Sequence, residues 1–450
     1  GEIMTFETKG KENNGATYGR RSDWQDLYSI AKKYYEALLA DPGNAQFHLT
    51  DPRGASDKSG RTFNNPYQYF FEQMHMDDAI YADESIYEYP MQQGGGNDGR
   101  PYSFGRPSSG GSKAAYPCKS YGQGRINPAY FYGVFDPNDM RRDVSITMTG
   151  SNGKGVEKLI PFVPNSKAEG GGLTLNKWDE NRQANPWVAA QRKSGINGPY
   201  MRMSEVYLGY AEVCAALGDV VTGKQYLKTV RERSFPQGLA NTDAFIASFG
   251  NDLVRAIIEE RGFEYAGEGD RRWTLIRSGY LPEDIKRIKD MTKAMMDGLA
   301  TKGYYEFENG NIISAYIWTK LVDAKTIYGH RLTAQCPTDK VNDPVLYPGW
   351  RGQKDNWEEM GLNYGSSTPA TNLAIKGLFE IVSEEEAASL ESQGYAKVNW
   401  GIDLVDYRDE YDKYLFWDYD YVSAPIYLWP FTPNVMAAGG FTNGYGFKQE

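Results

Sequence analysis

Glu260 and Glu264 are the residues most open to a chemical reading. They lie four apart in "DLVRAIIEERGFEYAGEGDRRWTLIRSG", about one helical turn, so both carboxylates share a helix face. Two carboxylates held roughly 5–9.5 Å apart are the working pair of glycoside hydrolysis. The surrounding sequence also holds Glu205, Glu212, Arg231, Arg233, Glu259, Arg261, Glu268, Arg271 and Arg272. Acids and arginines are nearly balanced, and arginine offers a planar fork that matches a carboxylate. Such a mixture is the composition of interhelical ion pairs, which often imitate sites. Glu205, Glu212, Arg231, Arg233, Glu260, Arg261, Glu264 and Arg272 are therefore expected to form a structural network, and no residue is assigned a catalytic role.

Other chemistry finds less support. Gly267-x-Gly269-x-x-Arg272 lacks the third glycine and the preceding strand of a dinucleotide fingerprint. Gly150 to Gly155 has neither the spacing nor the Ser/Thr after Lys154 of a phosphate loop. His48, His75 and His330 are isolated, and Cys118, Cys214 and Cys336 form no C-x-x-C, so neither a zinc site nor a disulfide framework is expected. Asp136, Asn138, Asp139 and Asp143 lack the glycine and terminal glutamate of a calcium loop; "DPND" reads as a turn. No metal or cofactor is expected.

Aromatic residues are the better binding candidates. The chain has 34 Tyr, 19 Phe and 10 Trp. An exposed ring offers an apolar face to the C–H face of a sugar, with polar neighbours for its hydroxyls. Trp178 and Trp187 sit in polar, loop-like sequence, with Asn176 and Asp179 beside the first, and Tyr130 and Tyr132 follow Asn127-Pro128. These six residues are the expected ligand contacts; the rival role for each ring is to plug a loop-rich region onto the helices.

The elements that position these residues are mainly helical. Met203, Val206, Tyr207, Tyr210, Ala211, Cys214 and Leu217 recur at threes and fours and form one helical stripe. Gly218-Asp219 ends it. A second helix carries Tyr226, Leu227 and Val230, and the short break makes the two an antiparallel hairpin. Asn251 is placed to cap a third helix with Leu253, Ala256, Ile257 and Glu260 inward, and Trp273 and Ile276 extend its apolar content. Ser22 to Gln25 has the pattern of a capping box, opening a helix to Ala40 with Leu27, Ile30, Ala31, Tyr34, Tyr35 and Leu38 inside. Val144, Ile146 and Met148 read as a strand, turning at Asn152-Gly153 into Leu159–Val163. Further helices are expected over 282–299 and 372–393, with irregular chain over 301–371 and 395–450.

Arg202, Ser204, Glu205, Tyr207, Leu208, Ala211, Glu212 and Gly218, followed by Val230-Arg231-x-Arg233, resemble the fourth tetratricopeptide hairpin of the SusD/RagB family. Glu260-Arg261, Glu264, Gly267-Glu268-Gly269, Arg272-Trp273 and Arg277 resemble the segment that follows it there. "FDPNDMRRD" and "YLWPFTPNVMAAGGFTNGYGF" are similar to flanking family segments. The resemblance implies a cell-surface lipoprotein of the outer membrane that binds a glycan, or in some members a peptide. It implies delivery to a TonB-dependent transporter. On this reading residues 22–41 are the second helix of a tetratricopeptide unit, 42–199 a loop-rich aromatic insertion, 200–281 the hairpin and Glu/Arg segment, and 282–450 a helix with an irregular aromatic region. The partner of the first helix and the lipid anchor would then lie on preceding sequence of the same protein.

The resulting fold class is mostly α with irregular loops: tetratricopeptide-like hairpins, a large inserted subdomain and a few short strands. The net charge of −10 excludes the basic footprint needed for non-specific nucleic-acid binding. Non-catalytic glycan binding is the expected function. A peptide ligand, a tetratricopeptide scaffold and a polysaccharide-active enzyme using Glu260 or Glu264 are the alternatives.

Overall fold

The computed structural model describes residues 4–8, 16–43, 48–49, 51, 53, 65–67, 70–71, 84–91, 99–108, 120–151, 157–164, 171–178, 195–323, 371–415 and 431–440. The described helices are α1 (Trp24–Ala40), α2 (Gly99–Phe104), α3 (Arg141–Ser145), α4 (Met203–Ala216), α5 (Val220–Arg233), α6 (Thr242–Ala247) and α7 (Leu253–Glu264). They continue with α8 (Asp270–Ser278), α9 (Leu281–Lys302), α10 (Glu384–Ser392), α11 (Gly401–Asp406), α12 (Arg408–Leu415) and α13 (Pro433–Gly439). A wide helical turn spans Tyr130–Val134. The strands are short and antiparallel. The first eight are β1 (Met4–Thr8), β2 (Ala16–Arg20), β3 (Ser85–Tyr89), β4 (Ile146–Thr147), β5 (Thr149–Ser151), β6 (Glu157–Leu159), β7 (Thr174–Leu175) and β8 (Gly198–Arg202). The rest are β9 (Tyr304–Glu306), β10 (Ile312–Ser314), β11 (Tyr316–Asp323), β12 (Thr371–Lys376) and β13 (Ala396–Asn399). The fold is mostly α with irregular connections, as expected.

The hairpin α4–α5 is the frame. Gly218 takes φ 92° after α4, and Asp219 caps α5 by accepting from the Thr222 amide. At Gly223 a Cβ would lie 2.9 Å from the Ala211 carbonyl, so the close approach of the two helices requires glycine. Leu208, Ala211, Leu227 and Val230 pack with Ala256 and Ile257 of α7. Asp252, not Asn251, caps α7, accepting from the Arg255 amide, while Asn251 takes a left-handed φ of 65°. The left-handed turn leaves the following residue to face the free amides.

On the opposite side of α4, helix α1 packs through Trp24, Tyr28, Ala31, Tyr35 and Leu39. The expected inward stripe is rotated: Ile30 and Tyr34 are exposed. The Ser22 capping box does not form either; the N-cap is Asp23, whose carboxylate instead pairs with Arg21.

The largest apolar core joins distant segments. Phe131, Tyr132, Phe135, Ile146 and Phe162 meet Met295, Met296 and Leu299 of α9, Ile317 and Ile375 of the β11–β12 pair, and Trp400, Leu404 and Tyr411. The order β12-β11-β13 forms a small sheet where the sequence suggests irregular chain or helix. The expected helix 372–393 is strand β12 followed by α10, because the run Leu373-Ala374-Ile375 gains a partner in β11. Short apolar runs carry no period that separates strand from buried helix. Val144 similarly lies in α3, so the strand starts at Ile146, and β5 pairs with β6 over Glu157–Leu159. The intended Asn152-Gly153 turn, Cys118, Cys336, His75, His330, Trp350 and Trp357 fall outside the described residues.

Candidate functional site

Helix α7 is buried along its whole last turn, and its carboxylates are spoken for. Glu260 and Glu264 are both at 0% exposure. Glu260 accepts from Arg141 at 2.7 Å and Arg231 at 2.8 Å. Glu264 accepts from Arg233 at 2.7 Å, from Arg141 at 3.1 Å and from Arg202. Glu84 closes the circuit with Arg202 and Arg233. Burial opposes ionisation of Glu264, but the Arg202, Arg233 and Arg141 guanidiniums outweigh it and hold the carboxyl well below the usual range. Glu259 behaves likewise: burial is offset mainly by Arg271 and Arg287, and its carboxyl falls to about 2. Neither Glu260 nor Glu264 faces a space that a polysaccharide can enter.

The chain leaves this interior at the turn 265–269. Gly267 and Gly269 take φ of 81° and 94°, and at Gly267 a Cβ would lie 2.6 Å from the Leu175 side chain. Helix α8 then starts at Asp270. It buries Thr274, Leu275 and Ile276 and leaves Trp273 59% exposed.

Trp273 shares a groove with the middle of β8, where Tyr200 is 72% exposed. Between them runs a groove of about 820 Å³, within the size of small-ligand sites. Phe104, Ile126, Leu175 and Trp178 line its apolar part, and Glu205, Asp270 and Arg272 its polar part. Buried Arg261 holds Asp270 at 2.5 Å and lies 3.5 Å from Glu205, so one interior cation sits behind both rim carboxylates. Beneath the groove, Arg202 and Lys177 hold Glu268 at 3.0 Å and 2.6 Å. The arrangement offers ring faces for stacking and fixed acceptors beside them. Among the described residues no cluster of His, Cys, Asp and Glu suits a metal ion.

The family model of SusD proteins matches residues 46–431. This chain belongs to the SusD family. A SusD-like protein, P25 of Formosa agariphila, is 28% identical over 160 residues, which cover 35% of this chain and 26% of that protein. Among solved structures, surface glycan-binding protein A from Bacteroides thetaiotaomicron is similar at 19% identity and TM-score 0.40, over 58% of this chain and 51% of that one. It has also been solved with laminarihexaose. The same-named protein from Bacteroides uniformis matches at 21% identity and TM-score 0.36, over 57% and 46%. The chain spans about a quarter of P25 and about half of the solved SusD-family chains it matches.

Within this SusD-family fold the expected site residues separate. Trp178 does line the groove, although only 5% exposed. Asn176 lies beneath the surface, its amide donating to the Asp143 carbonyl at 3.1 Å. Tyr130 braces α7 by donating to the Gly262 carbonyl at 2.9 Å. Tyr132 is fully buried and accepts from the Trp400 indole at 2.8 Å. Asn176, Tyr130 and Tyr132 are thus packing groups: the turn after Pro128 is lodged in the largest core rather than on a loop surface. Trp187 and Asp179 lie outside the described residues.

The ion-pair network also gains members. Glu212 pairs with Arg277, and Tyr28 donates to it at 3.0 Å. Arg272 and Glu205 line the groove. Arg141, Asp139, Lys177 and Glu84 join the network without having been anticipated. The groove's prominent rings, Trp273, Tyr200 and Phe104, were not expected as contacts. Their only signal was local: each stands beside proline, glycine or arginine rather than on a long apolar stripe.

Proposed function

We propose that this SusD-family chain binds a glycan in the groove between Tyr200 and Trp273 and does not cleave it. The observation that carries the reading is the pair of exposed rings set beside carboxylates held by a buried arginine. A sugar stacks its C–H face on the rings and donates its hydroxyls to Glu205 and Asp270. The glutamates suited by spacing to hydrolysis are sealed in the core, which favours binding over turnover. Family membership adds the setting: a lipid-anchored protein at the outer-membrane surface, passing its ligand to a TonB-dependent transporter.

Calorimetric titration with a panel of soluble polysaccharides tests the reading, with Trp273→Ala as the control and a reducing-end assay run in parallel. Saturable binding to one glycan class, weakened in the variant and without new reducing ends, is expected. Equal binding by the variant removes the groove from consideration, and chain shortening by the wild type overturns the non-catalytic assignment. Co-isolation with the transporter from detergent-solubilised outer membranes checks the partner; recovery in the soluble fraction alone defeats it.

A further inference from the structure

The groove does not end at Tyr200. The Tyr200 ring meets Tyr87 edge-on, with centroids 5.6 Å apart and planes at 84°. Tyr87 lies on β3, which pairs antiparallel with β8. Strict alternation would place Ser85, Tyr87 and Tyr89 on one face. Instead the register shifts between Ser85 and Tyr87 and again between Tyr87 and Glu88. Irregularities of this kind re-aim side chains. Ser85 is buried, and Glu88 turns inward, where Asn197 donates to it at 2.8 Å. Tyr87 and Tyr89 face out, each more than half exposed, beside exposed Met201.

The ribbon's two charged residues, Glu88 and Arg202, are both buried. What remains outside is Ile86, Tyr87, Tyr89, Pro199, Tyr200 and Met201, an uncharged and largely aromatic strip continuous with the groove. Contiguous apolar surface of this sort marks a binding face on a soluble protein. Tyr87 and Tyr89 are two residues apart on the ribbon and offer two rings on the same exposed side.

We propose that the β3–β8 ribbon is a second subsite continuous with the groove. Its occupant is a glycan chain of several rings that is uncharged where it crosses the tyrosines. The inference rests on the groove reading and adds to it the length and charge of the ligand.

The test is calorimetry with laminari-, cello-, malto- and manno-oligosaccharides from disaccharide to hexasaccharide, and with an oligogalacturonate series. It is run on the wild type, on Trp273→Ala and on Tyr87→Ala/Tyr89→Ala, with melting temperatures confirming that the variants are folded. Affinity of the wild type is expected to rise by roughly tenfold from disaccharide to hexasaccharide, the gain of about one added aromatic contact. The double tyrosine variant should lose that gain and keep its disaccharide affinity, whereas Trp273→Ala should weaken every length. Length dependence that survives in the tyrosine variant overturns the second subsite and leaves the groove standing. Full binding by Trp273→Ala, or no binding by any member of the series, overturns the groove reading and the subsite with it. A galacturonate gain equal to the neutral one overturns the assignment of an uncharged chain.

Discussion

Helices α7 and α8 are neighbours in sequence, separated only by the turn 265–269, and are joined by ion pairs, yet one is enclosed along its last turn and the other presents a ring to solvent. On α7 every charge points inward and is matched: Glu259, Glu260 and Glu264 are each held by two or more arginines. On α8 the interior takes Thr274, Leu275 and Ile276, and the ring of Trp273 is left to solvent. The contrast teaches where function is to be sought. A buried ion-pair network whose carboxylates already have their arginines is closed to a ligand, and its removal costs stability. An exposed ring beside anchored carboxylates contributes little to folding, and its removal costs binding.

The strongest way to break this comparison is Glu264→Gln. It leaves Arg141, Arg202 and Arg233 buried without their shared anion, and losing one partner of a buried pair costs about 3–5 kcal/mol. Urea denaturation should show a loss of that order; a loss below about 1 kcal/mol would place Glu264 with surface pairs.

Acid should act on the same network. Glu259 has an ordinary value of 4.5 and a folded value of about 2, and Glu264 and Glu212 are depressed in the same direction. The folded state therefore holds fewer protons than the unfolded one in this range. The network's contribution is complete above pH 4.5 and drains away as the pH falls toward 2. Denaturation midpoints measured across that window should decline steadily; a flat profile contradicts the assignment.

Gly223→Ala sharpens the comparison within the frame itself. The added methyl meets the Ala211 carbonyl, and overpacking of this kind costs ~1–3 kcal/mol. Thermal unfolding should report it while glycan affinity of the folded fraction stays constant.

Trp273→Ala is the reciprocal case. Binding should weaken by roughly tenfold, about 1.4 kcal/mol, with stability changed by no more than about 0.5 kcal/mol. Glu205→Gln should be milder still, because it removes the charge but retains an acceptor, at ~1 kcal/mol for a neutral hydrogen bond. A larger effect on melting than on binding for either variant would reverse the roles assigned to the two helices.

Legibility in the sequence follows the range of the contacts. The α4–α5 hairpin was readable because its stripe repeats over four turns and its break is a glycine that must take positive φ. The paired acids and arginines announced a network by composition, though not its full membership. Arg141 and Glu84 join from 119 and 149 residues away in sequence, at Glu260 and Arg233 respectively, and no local pattern reports such a partner. Strands β11 to β13 stayed hidden for the same reason, since β11 pairs with both β12 and β13 only after the chain returns, whereas β9 and β10 form a local hairpin too short to show a period. Trp273 was read as core because α8 is too short for a period to distinguish its faces. Tyr132 was read as surface because proline and asparagine nearby imitate a loop.

One feature of the largest core bears on how the molecule is made. Tyr132 meets Trp400 across 268 residues, and Tyr411 donates to the Phe162 carbonyl across 249. A ribosome adding ~5–20 residues per second needs on the order of tens of seconds to supply the second partner after the first. Throughout that interval Tyr132 and Phe162 lack the Trp400 ring they both contact, although Phe307 can already stack on Tyr132. The partners of the helical frame lie within one short stretch of chain, whereas this core closes only once the segment holding Trp400 and Tyr411 is available to it.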